Sequence, residues 1–188
     1  MRIARSPVPF LALILATAVA ASAQMPKNPK DPDVPYVPTD ERVVAEMLKV
    51  ANVKKSDVLY DLGSGDGRIV ITAAKKFGTR GTGIELLPAL VQEARENARK
   101  ARVSKLVKFV EGDIFEANIS DATVVTLYLL PAVNMKLRPK LLELRPGTRI
   151  VSHNYDLGDW MPEKTIRINL ADGEHTVFYW VVPPRKKS

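Results

Sequence analysis

An α/β domain, built on a mostly parallel seven-stranded sheet with helices on both faces, is what this sequence predicts, and three observations predict it. Short apolar runs alternate with longer stretches whose apolar residues recur at helical spacing. Through the middle of the chain most of these runs are separated by such a helical stretch, which is the rhythm of βαβ units. The last two runs, 165–170 and 176–182, are joined only by Ala171-Asp172-Gly173-Glu174-His175, a hairpin-like turn, so a C-terminal antiparallel hairpin closes one edge of the sheet.

Taken in order, Thr39 stands where it can cap a helix whose Val43, Val44, Met47, Leu48 and Ala51 share one face. Asp57-Val58-Leu59-Tyr60-Asp61 is short, apolar and bounded by polar residues, and reads as the first buried strand. A helix over 67–77, a strand over 81–85, a helix over 88–101 and strands over 106–111 and 122–128 follow. A helix over 132–144 and a strand over 148–153 lead into the hairpin.

Residues 1–23 stand apart from this pattern. Arg2 and Arg5 precede an uncharged stretch over 8–23 that ends in Ala21-Ser22-Ala23, the form of an export signal cleaved before Gln24. An uncleaved N-terminal anchor and a true start at Met25 are the alternatives. The three readings place the domain in the periplasm or outside the cell, on a membrane, or in the cytoplasm. Residues 24–38 carry five prolines, at 26, 29, 32, 35 and 38, which remove backbone donors and fix φ, so this stretch is an extended arm. The expected organisation is a signal or anchor over 1–23, the arm over 24–38, one domain over 39–184 and a basic tail over 185–188.

Composition narrows the chemistry. With no cysteine there is no disulfide framework, thiolate metal site or cysteine nucleophile, and two histidines argue against a multi-histidine centre, so no metal is expected. The net charge of +7 favours acidic partners in general. Basic residues are spread along the chain and cluster only at Arg185-Lys186-Lys187, which is not the footprint of a specific nucleic-acid binder.

The chemistry gathers at Asp61-Leu62-Gly63-Ser64-Gly65-Asp66-Gly67, where the first strand hands over to a helix and glycine lets backbone approach a ligand. A dinucleotide fingerprint would need glycine at 68, where this chain has Arg68. Asp61 would also repel a pyrophosphate and suits a ligand with a cationic amine, which disfavours a nicotinamide oxidoreductase. Glu85 ends the second strand, where a carboxylate accepts ribose hydroxyls. Asp113 follows the third, placed to accept from an adenine amino group while Ile114 packs on the ring. All three acids face the crevice at the carboxyl ends of the strands, where open α/β sheets bind ligands.

In these motifs the sequence resembles the Rossmann-like class I S-adenosylmethionine-dependent methyltransferases. More narrowly it is similar to the small protein-lysine methyltransferases, which include an archaeal broad-specificity enzyme and mitochondrial enzymes acting on the ATP synthase c-subunit and the adenine nucleotide translocase. The likeness runs from about residue 34 to 182. It is most specific in Pro35-Tyr36-Val37-Pro38-Thr39, in the glycine-rich turn, over 121–130, in Leu137-Arg138-Pro139-Lys140-Leu141 and over 149–154.

The resemblance implies S-adenosyl-L-methionine as cofactor, with Asp61 and the backbone of Gly63, Ser64, Gly65 and Gly67 at its methionine part. It implies Tyr36 and Thr39 folded over it as a lid, unless Thr39 merely caps the helix. The methyl group then points past the fourth strand, where Tyr128 orients the acceptor amine, with Asn154 and His153 as further candidates. Tyr128 equally reads as packing, and His153 as a hydrogen-bonded strand end. Trp160 either lines a substrate channel or plugs the gap between the fifth strand and the hairpin. The implied partner is a protein presenting a lysine to a monomeric enzyme, with residues 1–23 a route to membrane association. The competing readings are a small-molecule acceptor and a non-catalytic cofactor-binding domain.

Overall fold

A computed structural model describes residues 36–185. The export or anchor segment, the arm up to residue 35 and residues 186–188 of the basic tail lie outside the described residues. Seven strands, β1 (Val58–Leu62), β2 (Arg80–Glu85), β3 (Val107–Glu111), β4 (Val124–Leu127), β5 (Arg149–His153), β6 (Lys164–Leu170) and β7 (Gly173–Val181), form one sheet in the order β3-β2-β1-β4-β5-β7-β6. Strands β1 to β5 are parallel, and β7 runs antiparallel to both β5 and β6. The mixed sheet and its closing hairpin are those the sequence predicts.

Four helices, α1 (Glu41–Val50), α2 (Arg68–Phe77), α3 (Pro88–Lys100) and α4 (Pro131–Leu142), cover the sheet unequally. Alternation along each strand divides the core into two layers, because successive side chains point to opposite faces. On one face Leu59, Phe109, Val124 and Val151 pack against the apolar sides of α1, α2 and α3. On the other, Leu62, Val125, Leu127, Ile150 and Trp180 pack against Val133, Leu137 and Leu141 of α4. Trp160 belongs to this second layer, its carbonyl accepting from Trp180 Nε1 at 2.6 Å. It plugs the gap between sheet and hairpin.

Three local expectations are corrected. Asp40, not Thr39, caps α1, its carboxylate accepting from the Arg42 amide at 2.8 Å. Thr39 is turned inward instead and is 3% exposed. The hairpin turn shrinks to Ala171 and Asp172, because Gly173 already pairs with Leu170 and Glu174 with Asn169. A backbone ladder is indifferent to polarity, so the polar residues 173–175 hid strand rather than turn. Strand β4 stops at Leu127, which leaves Tyr128 in the connection to α4.

The topology fixes where a ligand sits. From β1 the chain adds β2 and β3 on one side and then crosses to place β4 on the other, so the carboxyl ends of β1 and β4 flank a switch point. Asp61 lies opposite Gly83 of β2 and Thr126 of β4 at that point.

Candidate active site

Five parallel strands end at one edge of the sheet and deliver the candidate residues to it. Asp61 is 2% exposed, and its Oδ1 accepts from the Thr126 hydroxyl at 2.7 Å. No cation pairs with it in the described structure. Burial first, then the charges of Glu85 and Asp66, push its carboxyl up to about 7, against the Thr126 hydrogen bond.

The turn after β1 is shaped by glycine where shape is needed. Gly65 has φ +51, and a Cβ there would lie 2.4 Å from the Tyr36 ring, which rests on this turn. Gly67 has φ +80 and caps α2, with Phe109 filling the space a side chain would take. The amides of Gly63 and Ser64 donate to the Ile84 carbonyl at 2.9 and 3.0 Å. The Gly65 amide donates to Glu85 Oε2 at 2.9 Å, while Glu85 Oε1 accepts from the Leu87 amide at 3.0 Å. Glu85 therefore props the turn. A carboxylate offers roughly four lone-pair positions, so acceptor capacity for hydroxyls remains.

The arm is tied down by a residue whose role the sequence did not show. Arg68 donates from Nη1 to the Thr39 carbonyl at 2.8 Å and pairs through Nη2 with Asp66 Oδ2 at 2.7 Å. Tyr36 lies against the same pair, and its hydroxyl is raised above the ordinary phenol range by burial and by the Asp66 charge. Tyr36 and Thr39 thus close over the glycine turn from the N-terminal side.

Across the crevice the Tyr128 ring lies tilted against His153, ring centroids 3.9 Å apart, and burial raises its hydroxyl above the ordinary phenol range. Asn154 adopts φ +62, an unusual backbone for a non-glycine residue, and its side chain accepts from the Thr176 amide at 2.9 Å. His153 is 1% exposed, and burial, followed by the neighbouring His175, draws it down to about 4. It is therefore neutral at ordinary pH.

Asp113 is separate from this cluster. It is exposed, and its Oδ1 accepts from the Phe115 amide at 2.8 Å, closing an Asx turn. Ile114 packs on the α4 side of the core, and Lys140 of α4 holds the Ile114 and Phe115 carbonyls at 3.1 and 2.7 Å. Asn134 of α4 similarly donates to the Tyr155 and Asp156 carbonyls, both at 3.1 Å, fixing the chain that follows β5.

A family model described as the ANTKMT methyltransferase domain matches residues 61–164, the stretch that holds the glycine turn, Glu85, Asp113, Tyr128, His153 and Asn154. The chain belongs to this methyltransferase family. Among its relatives, a protein-lysine N-methyltransferase of Saccharolobus islandicus is 46% identical over 82% of this chain and 98% of the relative. The mouse adenine nucleotide translocase lysine N-methyltransferase is 37% identical over 78% of this chain, which spans 62% of that longer protein. A solved structure described as an RNA methyltransferase from Salinibacter ruber in complex with S-adenosyl-L-homocysteine shares 56% identity. It superposes with a TM-score of 0.76 over 80% of this methyltransferase and 97% of its own chain.

Two buried groups test whether this edge fits S-adenosylmethionine. Asp61 is a buried carboxylate with a hydroxyl donor and no counter-charge, and Ser64 Oγ is buried with no hydrogen-bond partner. Buried polar atoms are rarely left so. A ligand bringing an ammonium group and hydrogen-bonding atoms satisfies both, and the residues fit the cofactor.

Of the functional residues that sequence reasoning missed, Thr126 left a signal: a hydroxyl inside the apolar run Val124-Val125-Thr126-Leu127. Arg68 was noticed only for what it excluded. His175 and Asn134 left none, because their partners are brought to them by the sheet.

Proposed function

We propose that this methyltransferase is a protein-lysine N-methyltransferase using S-adenosyl-L-methionine. The observation that carries the acceptor is the likeness to the Saccharolobus protein-lysine N-methyltransferase, 46% identical and matched over nearly its whole length.

In this reading Asp61 pairs with the cofactor's ammonium group, Ser64 and the turn amides line its methionine part, and Glu85 takes the ribose hydroxyls. Asp113 and Ile114 meet the adenine. The bound cofactor supplies an electrophilic methyl group on a positively charged sulfur. The chain's own work is positioning and exclusion of water, because methyl transfer is an in-line displacement on a neutral amine. Tyr128, its ring held against His153, orients that amine. Tyr36 and Thr39 shut the site. A monomer with an open rim suits an acceptor that brings its own extended segment. Residues 1–23 would set the compartment, as an export signal or as an anchor.

A second reading, RNA as acceptor, is supported by the description of the Salinibacter ruber neighbour. The two separate in one experiment: the purified full chain is given S-adenosylmethionine carrying a labelled methyl group, with either the proteins or the RNA of a cell extract. Label recovered as methyl-lysine after acid hydrolysis is the expected result. Label in RNA with none in protein overturns the proposal.

A further inference from the structure

The chain has two histidines, and the fold joins them. His153 Nε2 and His175 Nδ1 are 2.9 Å apart, linking the end of β5 to β7. Beyond them His175 Nε2 lies 3.1 Å from Asp172 Oδ1, and on the other side His153 Nδ1 lies 3.4 Å from Thr39 Oγ1. The row runs from the interior to water. Thr39 and His153 are 3% and 1% exposed, while the side chains of His175 and Asp172 are 13% and 69% exposed.

With both imidazoles neutral, its hydrogen bonds can point only one way. An ionised carboxylate accepts and never donates, so Asp172 takes the Nε2 proton of His175. His175 Nδ1 is then bare and takes the Nε2 proton of His153. That leaves His153 Nδ1 bare towards the Thr39 hydroxyl. Every imidazole donor points outward, and the buried end is an acceptor beside the ring of Tyr128.

We propose that Thr39, His153, His175 and Asp172 form a proton exit from the methyl-transfer site to solvent. The inference rests on an amine acceptor, which is the reading proposed above. When an ammonium group is methylated, it first loses a proton; the nitrogen pair forms the N–C bond as the C–S bond breaks with its pair going to sulfur. One proton is released for each methyl transferred. Taken up at His153 Nδ1 by way of Thr39, it displaces the Nε2 proton to His175 Nδ1, and the His175 Nε2 proton passes through Asp172 to water. Between turnovers, with the site open to water, the His153 Nδ1 proton leaves by way of Thr39 as a solvent proton enters His175 Nε2 at the Asp172 end, and this restores the starting tautomers. His175 and Asp172 act through His153 and are positioning residues.

The surroundings suit a neutral conduit. The charged and titratable groups facing the row are Asp40 and Arg42 at the start of α1, Tyr128 after β4 and Tyr155 after β5. The hydrogen bond from His175, then that of its own backbone amide, hold the Asp172 carboxyl below its ordinary value against the charge of Asp40. It is therefore ionised wherever the enzyme works, which keeps the row polarised.

Two experiments test this. Long-range nitrogen–proton correlation spectra of the purified full chain, recorded without acceptor at neutral pH, are expected to show both imidazoles protonated on Nε2. Either ring protonated on Nδ1 overturns the row. In steady-state methylation, His175→Phe and Asp172→Asn are expected to lower kcat on the order of tenfold, less than the roughly hundredfold or more of a group that takes the proton directly, because both act through His153. The loss should grow below neutral pH, with KM for cofactor and acceptor nearly unchanged, and added imidazole should restore His175→Ala. Unchanged kcat and pH profile in both variants, or a loss confined to KM, contradicts the exit. Because the tautomers are read without an acceptor, failure of the amine reading and failure of the row are separate results.

Discussion

Two aspartates at opposite ends of the first strand show how differently one sheet treats its edges. Asp57, at the amino end, is buried and fully answered: it pairs with the Arg149 guanidinium and accepts from the Thr123 hydroxyl at 2.8 Å and the Lys54 amide at 2.7 Å. Asp61, at the carboxyl end, is as deeply buried but has the Thr126 hydroxyl and two neighbouring acids. Arg149 also donates to the Ala51 carbonyl at 2.6 Å, so the Asp57 cluster ties α1 to the sheet. The difference teaches where the fold is finished and where it waits for a ligand. Stability is concentrated at the amino edge, and an uncompensated charge is held at the carboxyl edge.

Exchanging the charge at Asp61 is expected to have the largest effect. Asp61→Asn keeps an acceptor for Thr126 but has no charge for an ammonium group, so affinity for S-adenosylmethionine should fall at least about a hundredfold in calorimetry, with methylation lost. The ligand-free protein should gain stability. With its carboxyl pushed up to about 7, the native state holds a proton that the unfolded chain releases near 4. Stability from this group is therefore present at low pH and lost as pH rises from about 4 to 7. Above pH 7 the variant should exceed the wild type by up to about 4 kcal/mol in urea denaturation.

The mirror experiment at the other edge is Asp57→Ala, which strands the Arg149 guanidinium. A cost of about 3 kcal/mol is expected, the low end for breaking a buried pair because Arg149 keeps some solvent, with cofactor affinity of the folded protein unchanged. A fall in affinity comparable to that of Asp61→Asn would erase the distinction between the edges.

Acid sharpens the contrast next. His153 is drawn down to about 4, so the unfolded chain binds its proton first as pH falls. Its contribution is fully present above about 6.5 and disappears by about 4, roughly 2 kcal/mol of it between pH 7 and 5. His153→Gln should remove that part of the pH dependence, read as the change in urea midpoint between the two pH values.

The smallest effects come from two glycines with positive φ. Gly147→Ala, at φ +88 with nothing within 4 Å of the added carbon, should cost about 1 kcal/mol of backbone strain and leave binding alone. Gly65→Ala, at φ +51, carries similar strain and also displaces Tyr36, so thermal melts should match while cofactor affinity falls about tenfold in Gly65→Ala only.

The sheet was legible because its signal is local: buried strands are short apolar runs, and α1 and α2 show apolar residues at helical spacing. The strand-end acids were legible for the same reason, since Asp61, Glu85 and Asp113 each sit at the end of such a run. What the sequence hid is pairing. Thr39 has the side chain of a helix cap, but its hydroxyl lies beside His153, 114 residues away, and Asp40 caps instead. His175 reads as turn because its neighbours are polar, although the β5–β7 ladder places it on His153. Such contacts depend on strand order, which no local pattern encodes.

The central claim is that Asp61 is held ready for a cationic ligand, and proton linkage of cofactor binding tests it most directly. Titration calorimetry of S-adenosylmethionine near pH 6.5, in buffers of different ionisation enthalpy, should show a substantial fraction of one proton released on binding as the ligand's ammonium group draws the carboxyl down. In Asp61→Asn that release should vanish together with most of the affinity. Binding by wild type with no proton release, and undiminished binding by Asp61→Asn, would contradict the account.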